Sequence, residues 1–127
     1  MIEFKGSHFE RDVILWGVRW YVAYPISYRQ LEEMMDERGV EVDHSTLNRW
    51  LAIELAGKGI RVNAVSPDVI KTPMHPQEAY PFLASLHPVG RMGEIQDIVE
   101  AVLFLEKARF VTGEILHVDG GANAGRR

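Results

Sequence analysis

The 127 residues carry 46% hydrophobic and 25% charged side chains with a formal charge of −4, the balance of an ordinary globular domain or of one domain with a small appendage. That charge argues against a general nucleic-acid or membrane binder, which is usually basic, and the absence of cysteine excludes disulfides, thiolate metal sites and a cysteine nucleophile. Charges at Glu3, Lys5, Glu10, Arg11 and Asp12 interrupt any signal-peptide core, no apolar run reaches the ~20 residues of a membrane span, and a cytoplasmic location is expected by default.

Apolar spacing predicts a first helix over 12–24, with Val13, Trp16, Trp20 and Tyr24 on one stripe and Ile14, Val18 and Val22 widening it. Pro25 stops it. Ser27 then caps a second helix, with Gln30 as its capping-box partner, a buried face of Leu31, Met34 and Met35, and Gly39 as the left-handed stop. Asp43 caps a third helix, which runs without interruption from 43 to 56.

Helix, glycine turn, helix is the pattern of a helix-turn-helix. In that pattern the early positions of the third helix, His44, Ser45, Asn48 and Arg49, are the exposed DNA-binding residues, since Asn can read adenine and Arg can read guanine or hold a phosphate. The negative balance of residues 1–50, with 6 Lys+Arg against 9 Asp+Glu, opposes it. The runs 4–21 and 26–50 resemble the amino terminus of a family of bacterial insertion-sequence transposases. The resemblance implies binding to insertion-element ends. It does not carry the Asp-Asp-Glu metal site that cuts DNA, which lies downstream in that family and has no match after Trp50.

The third helix continues through Leu51, Ile53 and Leu55, and Gly57 and Gly59 bracket a tight exit. Residues 61–66 read as a buried strand. The stretch from Pro67 to Pro88, with prolines at 67, 73, 76, 81 and 88, reads as a functional loop or lid holding a short helix near 77–86. A clear helix follows over 94–107, with Ile95, Ile98, Val99, Val102, Leu103 and Leu105 at helical spacing and Glu94, Asp97 and Lys107 matching the dipole. A last strand covers 114–118, and the tail from Ala122 is expected to fray. Helix, strand, crossover helix, strand implies a parallel pair. Such a pair leaves faces and edges uncovered, and open edges invite a second copy. His75, His87 and His117 lack ligand spacing, so no metal site is expected.

Four blocks in the second half, 51–67, 70–74, 88–94 and 110–121, resemble the carboxyl-terminal third of a short-chain dehydrogenase/reductase. The resemblance implies a Rossmann-type fold, NAD(P) chemistry, and cofactor contacts at Pro67, Val69, Ile70 and Thr72. Where the family usually has glycine after the proline this chain has Asp68, and a carboxylate there crowds the nicotinamide carboxamide. The family's glycine-rich pyrophosphate turn is absent, and so is its Tyr-x-x-x-Lys pair: Tyr21, Tyr24, Tyr28 and Tyr80 are followed four residues on by Pro25, Tyr28, Glu32 and Ala84.

The expectation is therefore a mixed α/β chain. A helix-turn-helix of three helices (1–50) shares its last helix, 43–56, with a Rossmann-type dehydrogenase fragment (51–127). As a fusion product it has no catalytic residues, is not an enzyme as an isolated chain, and binds no cofactor unless the remnant loop takes NAD(P). Its partners are a second copy, in a dimer paired through the last strand or the 94–107 helix, and DNA at insertion-element ends. The alternative is an NAD(P)-dependent oxidoreductase fragment that retains cofactor binding or subunit pairing.

Overall fold

The computed structural model describes residues 11–23 and 25–125. They form mixed α/β structure in the order α1 (Arg11–Ala23), α2 (Tyr28–Asp36), α3 (His44–Ala56), β1 (Ala64–Pro67), α4 (Tyr80–Ser85), α5 (Ile95–Lys107) and β2 (Ile115–Val118). Residues 4–10 of the transposase-like run, Tyr24 and the last two arginines lie outside the described residues. The chain divides into two compact units, one holding the residues up to Asn63 with Val111–Glu114, the other Ala64–Phe110 with the residues from Ile115 on.

In the first unit α1, α2 and α3 pack around Ile14, Val18, Leu31, Met35, Leu47, Trp50 and Leu51. The cap signals act as expected. Ser27 Oγ accepts from Gln30 N at 3.1 Å while Gln30 Oε1 accepts from Ser27 N at 2.8 Å. Asp43 Oδ1 accepts from Thr46 N at 2.8 Å, and Gly39 closes α2 at φ +79°. The helix expected over 43–56 is continuous from His44 to Ala56. The α1 stripe is shifted, however. Ile14, Gly17 and Val18 are the buried residues of α1, while Val13, Trp16 and Trp20 are half-buried and Val22 is exposed. Gly17 is the reason: a Cβ there would stand 3.1 Å from Met35 Sδ and 3.2 Å from Trp50 Cζ3. The bare backbone thus brings α1 down onto α2 and α3 and rotates the tryptophans outward. Trp20 then receives the Arg38 guanidinium 4.6 Å from its ring centroid.

The strand expected from Arg61 begins only at Ala64. Before that point one backbone bond, Gly113 N to Val62 O at 2.7 Å, is joined by side-chain bonds. Asn63 donates to Val111 O at 2.9 Å and accepts from Glu114 N at 3.1 Å, and Val62 N donates to Thr112 Oγ1 at 3.0 Å.

In the second unit β1 and β2 form a parallel two-stranded sheet in the register Ala64↔Ile115 through Pro67↔Val118. The short helix expected near 77–86 is a 3₁₀ turn at Gln77–Ala79 running into α4. α5 starts one residue later than expected because Glu94 is its cap, in a reciprocal box with Asp97. Its buried stripe is also narrower than expected: Ala101 and Leu105 are buried and Ile98 is half-buried, but Ile95, Val99, Val102 and Leu103 are exposed. A two-stranded sheet is too narrow to cover more than one helical stripe. The tail does not fray at once, since Ala122–Ala124 form a 3₁₀ turn anchored by Asp119, whose carboxylate accepts from Gly121 N and Asn123 N. Among the described residues no helix is long and apolar enough to cross a membrane.

Candidate functional site

The carboxyl ends of two parallel strands are where open α/β sheets place their ligands. Here both ends, Pro67 and Val118, lie side by side. Pro67 has no N–H to continue the ladder and releases β1 into the proline-rich loop.

The loop is then pinned by one further parallel bridge, Ile70 to Gly93. Gly93 N donates to Val69 O at 3.0 Å and Lys71 N donates to Gly93 O at 2.9 Å. A parallel bridge built from the two neighbours of Ile70 leaves the N–H and C=O of Ile70 itself facing away from Gly93. A side chain on Gly93 would run into Ile70 Cδ1. Beyond the bridge, Thr72 turns the chain: its carbonyl accepts from His75 N at 3.1 Å and its hydroxyl from Met74 N at 3.3 Å. Lys71 Nζ pairs with Glu94 at 2.9 Å.

A cavity of about 230 Å³ opens at this end of the sheet, with Val69, Ile70, His87, Arg91, His117 and Asp119 in its wall. Its floor depends on a close approach. Val89 N donates to Gly120 O at 3.1 Å, and a Cβ on Gly120 (φ +58°) would fall 2.8 Å from Val89 Cγ2 and 3.1 Å from His87 Cβ. Arg91 grips Asp97 through two contacts of 2.9 and 3.4 Å, and Asp97 also accepts from Glu94 N at 2.8 Å. The Arg91 hydrogen bond, helped by that amide, holds the Asp97 carboxyl below its usual range, and the same bond raises the Arg91 guanidinium. His87 is 3% exposed; its Nε2 lies 3.3 Å from Asp68 Oδ2, and its Nδ1 has no hydrogen-bond partner.

The structure thus gathers Val69 and Ile70 at the cavity, with Pro67 and Thr72 bounding their segment on either side. The carboxylate expected to crowd the loop, Asp68, is instead engaged by His87. The pairs Asp68–His87 and Arg91–Asp97 were not expected from the sequence. The first joins residues across a loop without periodicity, and the second joins a loop arginine to the first turn of α5.

The four positions at the start of α3 separate. His44 pairs with Glu32, Ser45 Oγ donates to Asp43 Oδ1 at 2.7 Å, and Arg49 lies on the surface 3.4 Å from Thr46 Oγ1. Asn48, expected to be exposed, is fully buried. Its Oδ1 accepts from the Tyr28 hydroxyl at 3.2 Å and its Nδ2 donates to Glu114 O at 3.3 Å. The reason is phase: Asn48 follows Leu47 on the face that carries Leu51 and Ala52 inward. Beside this helix start Glu32, Glu33, Asp36 and Glu41 line an acidic groove.

Residues 42–123 match the family model described as enoyl-(acyl carrier protein) reductase. A cyclohexanol dehydrogenase from Acinetobacter sp. is 42% identical over 122 residues, covering 92% of this chain and 49% of its own length. An L-xylulose reductase from Bos taurus is 40% identical over 84 residues, covering 60% of this chain and 34% of its own length. The solved structure of ElxO with NADP bound superposes with a TM-score of 0.58 at 29% identity, over 81% of this chain and 43% of that one. The chain therefore spans about a third to a half of the relatives it matches.

These matches correct two expectations, that of a non-enzyme and that of no cofactor. The similarity starts at Val42, before the expected junction, and the 92% alignment reaches well into the first fifty residues. Nothing in these matches shows a transposase segment. The expectation of a non-enzyme is overturned by relatives named as dehydrogenases and reductases at 40–46% identity. The expectation of no cofactor falls with it, since the superposed structure holds NADP.

Proposed function

We propose, from the premise that this chain belongs to the short-chain dehydrogenase/reductase family, that it is the nicotinamide-side portion of an NAD(P)-dependent oxidoreductase interconverting a hydroxyl and a carbonyl group. The observation that carries the reading is the outward edge of Ile70. A carboxamide has one acceptor and two donor hydrogens, the complement of the N–H and C=O that one extended residue turns away from its bridge. Val69 would pack against the ring, Pro67 and Thr72 would fix the two ends of the loop, and the Gly93 bridge would hold the edge still. When bound, the cofactor supplies or accepts the hydride; this chain's residues bind its carboxamide, orient the ring and limit water.

The substrate side is read from the segment that follows. Met74 and Phe82 are 82% and 67% exposed on the loop and on α4, which suits an apolar secondary alcohol or ketone. The glycine-rich turn and the Tyr-x-x-x-Lys pair implied by the resemblance are not among these residues, so the reading concerns binding and orientation. We further propose that copies pair through the exposed apolar face of α5 or through β2.

Amide spectra recorded during titration with NADPH and NADH test the reading. Shifts should cluster at Val69, Ile70 and Thr72, with α2 and α3 unmoved. No shift at millimolar cofactor would sink it.

A further inference from the structure

We infer that His87 is a positioning residue for the nicotinamide-side loop: it holds the Asp68 carboxylate on its imidazole and so keeps the neighbouring Ile70 edge fit for an uncharged carboxamide. The inference rests on the proposed function above. Three observations carry it. His87 is buried with Nδ1 unpartnered, an unfavourable state for an imidazole unless the other nitrogen compensates. Asp68 Oδ2 lies 3.3 Å from that other nitrogen, Nε2. Asp68 itself stands between Pro67, the last residue of β1, and the bridged segment centred on Ile70. A free carboxylate there would repel both an incoming carbonyl oxygen and an anionic dinucleotide. The His87 imidazole, with Nε2 3.3 Å from Oδ2, sets a polar partner against that charge. The other charged groups of the cavity wall do not reach it in this way: Arg91 is committed to Asp97, and Asp119 caps the turn after β2.

Binding of NADPH is measured for the wild type, His87→Leu, Asp68→Gly and the double variant. In the wild-type background His87→Leu should weaken binding about tenfold, the loss of one partly buried imidazole–carboxylate contact. In the Asp68→Gly background the same change should have little effect, because no carboxylate remains to be held. An equal loss in both backgrounds would mean that His87 only supports packing, and would overturn the inference. A wild type that binds no NADPH overturns the proposed function and this inference together; a wild type that binds without coupling overturns the inference alone. Should His87→Leu fail to fold, imidazole ¹⁵N spectra of the wild type decide: a neutral ring should be protonated at Nε2 and bare at Nδ1, and the opposite tautomer refutes the pair.

Discussion

Asn48→Ala separates a structural from a DNA-reading role for the start of α3. The side chain has no exposed surface and makes two bonds, accepting from Tyr28 at 3.2 Å and donating to Glu114 O at 3.3 Å. Both are long, so each contributes at the low end of the ~0.5–1.5 kcal/mol of a net hydrogen bond. Tyr28 is half-buried and its hydroxyl can turn to water. The Glu114 carbonyl loses its side-chain donor, and a small void is left beside Leu47 and Leu51. Together these amount to about 2 kcal/mol. Urea unfolding followed by tryptophan fluorescence is the assay, because Trp16, Trp20 and Trp50 all lie in the first unit. For a unit this small a urea slope of about 1 kcal/mol/M turns that loss into a midpoint lower by about 2 M. An unchanged midpoint, with weakened binding to an insertion-element duplex, would refute the structural account.

Three further outcomes are expected. Gly17→Leu should destabilise the first unit by about 2 kcal/mol through overpacking against Met35 and Trp50, whereas Gly17→Ala should be near neutral, its gain of ~1 kcal/mol in helix propensity offset by displacement of Met35; a stabilising leucine, read by thermal melting, would contradict the packing. Burial, aided by Tyr21, pushes the Tyr28 phenol up to about 12. The fold therefore favours the neutral phenol, and that contribution is complete below the ordinary value of 10.0 and lost as pH rises from there through about 12. Phenolate absorbance should reveal one late-titrating tyrosine that Tyr28→Phe removes. Finally, Val102→Glu with Leu103→Glu, which charges an exposed part of α5, should convert a sedimenting dimer to monomer; a monomeric wild type would refute pairing.

Elements whose boundaries are set by local chemistry were legible. Ser27 with Gln30, and Asp43, act within one helical turn, and both caps form where the spacing places them. Features set by what packs opposite were not. The tryptophans of α1 carry the strongest apolar signal, yet Gly17, which carries none, decides the facing side. Asn48 reads as polar and exposed until the Glu114 carbonyl, far along the chain, is brought to it. At the site, the segment Pro67–Thr72 was recognisable from its motif, but the Asp68–His87 pair is 19 residues apart across an irregular loop and leaves no pattern.

Asn63 has a further consequence. Its amide closes onto Val111 and Glu114, 48 and 51 residues ahead. Neither contact can form until the whole intervening stretch has doubled back, and closing a loop that long is entropically slow to be rewarded. This clasp belongs to the end of folding rather than its beginning, and deuterium uptake at the Glu114 amide is the natural clock for that last step.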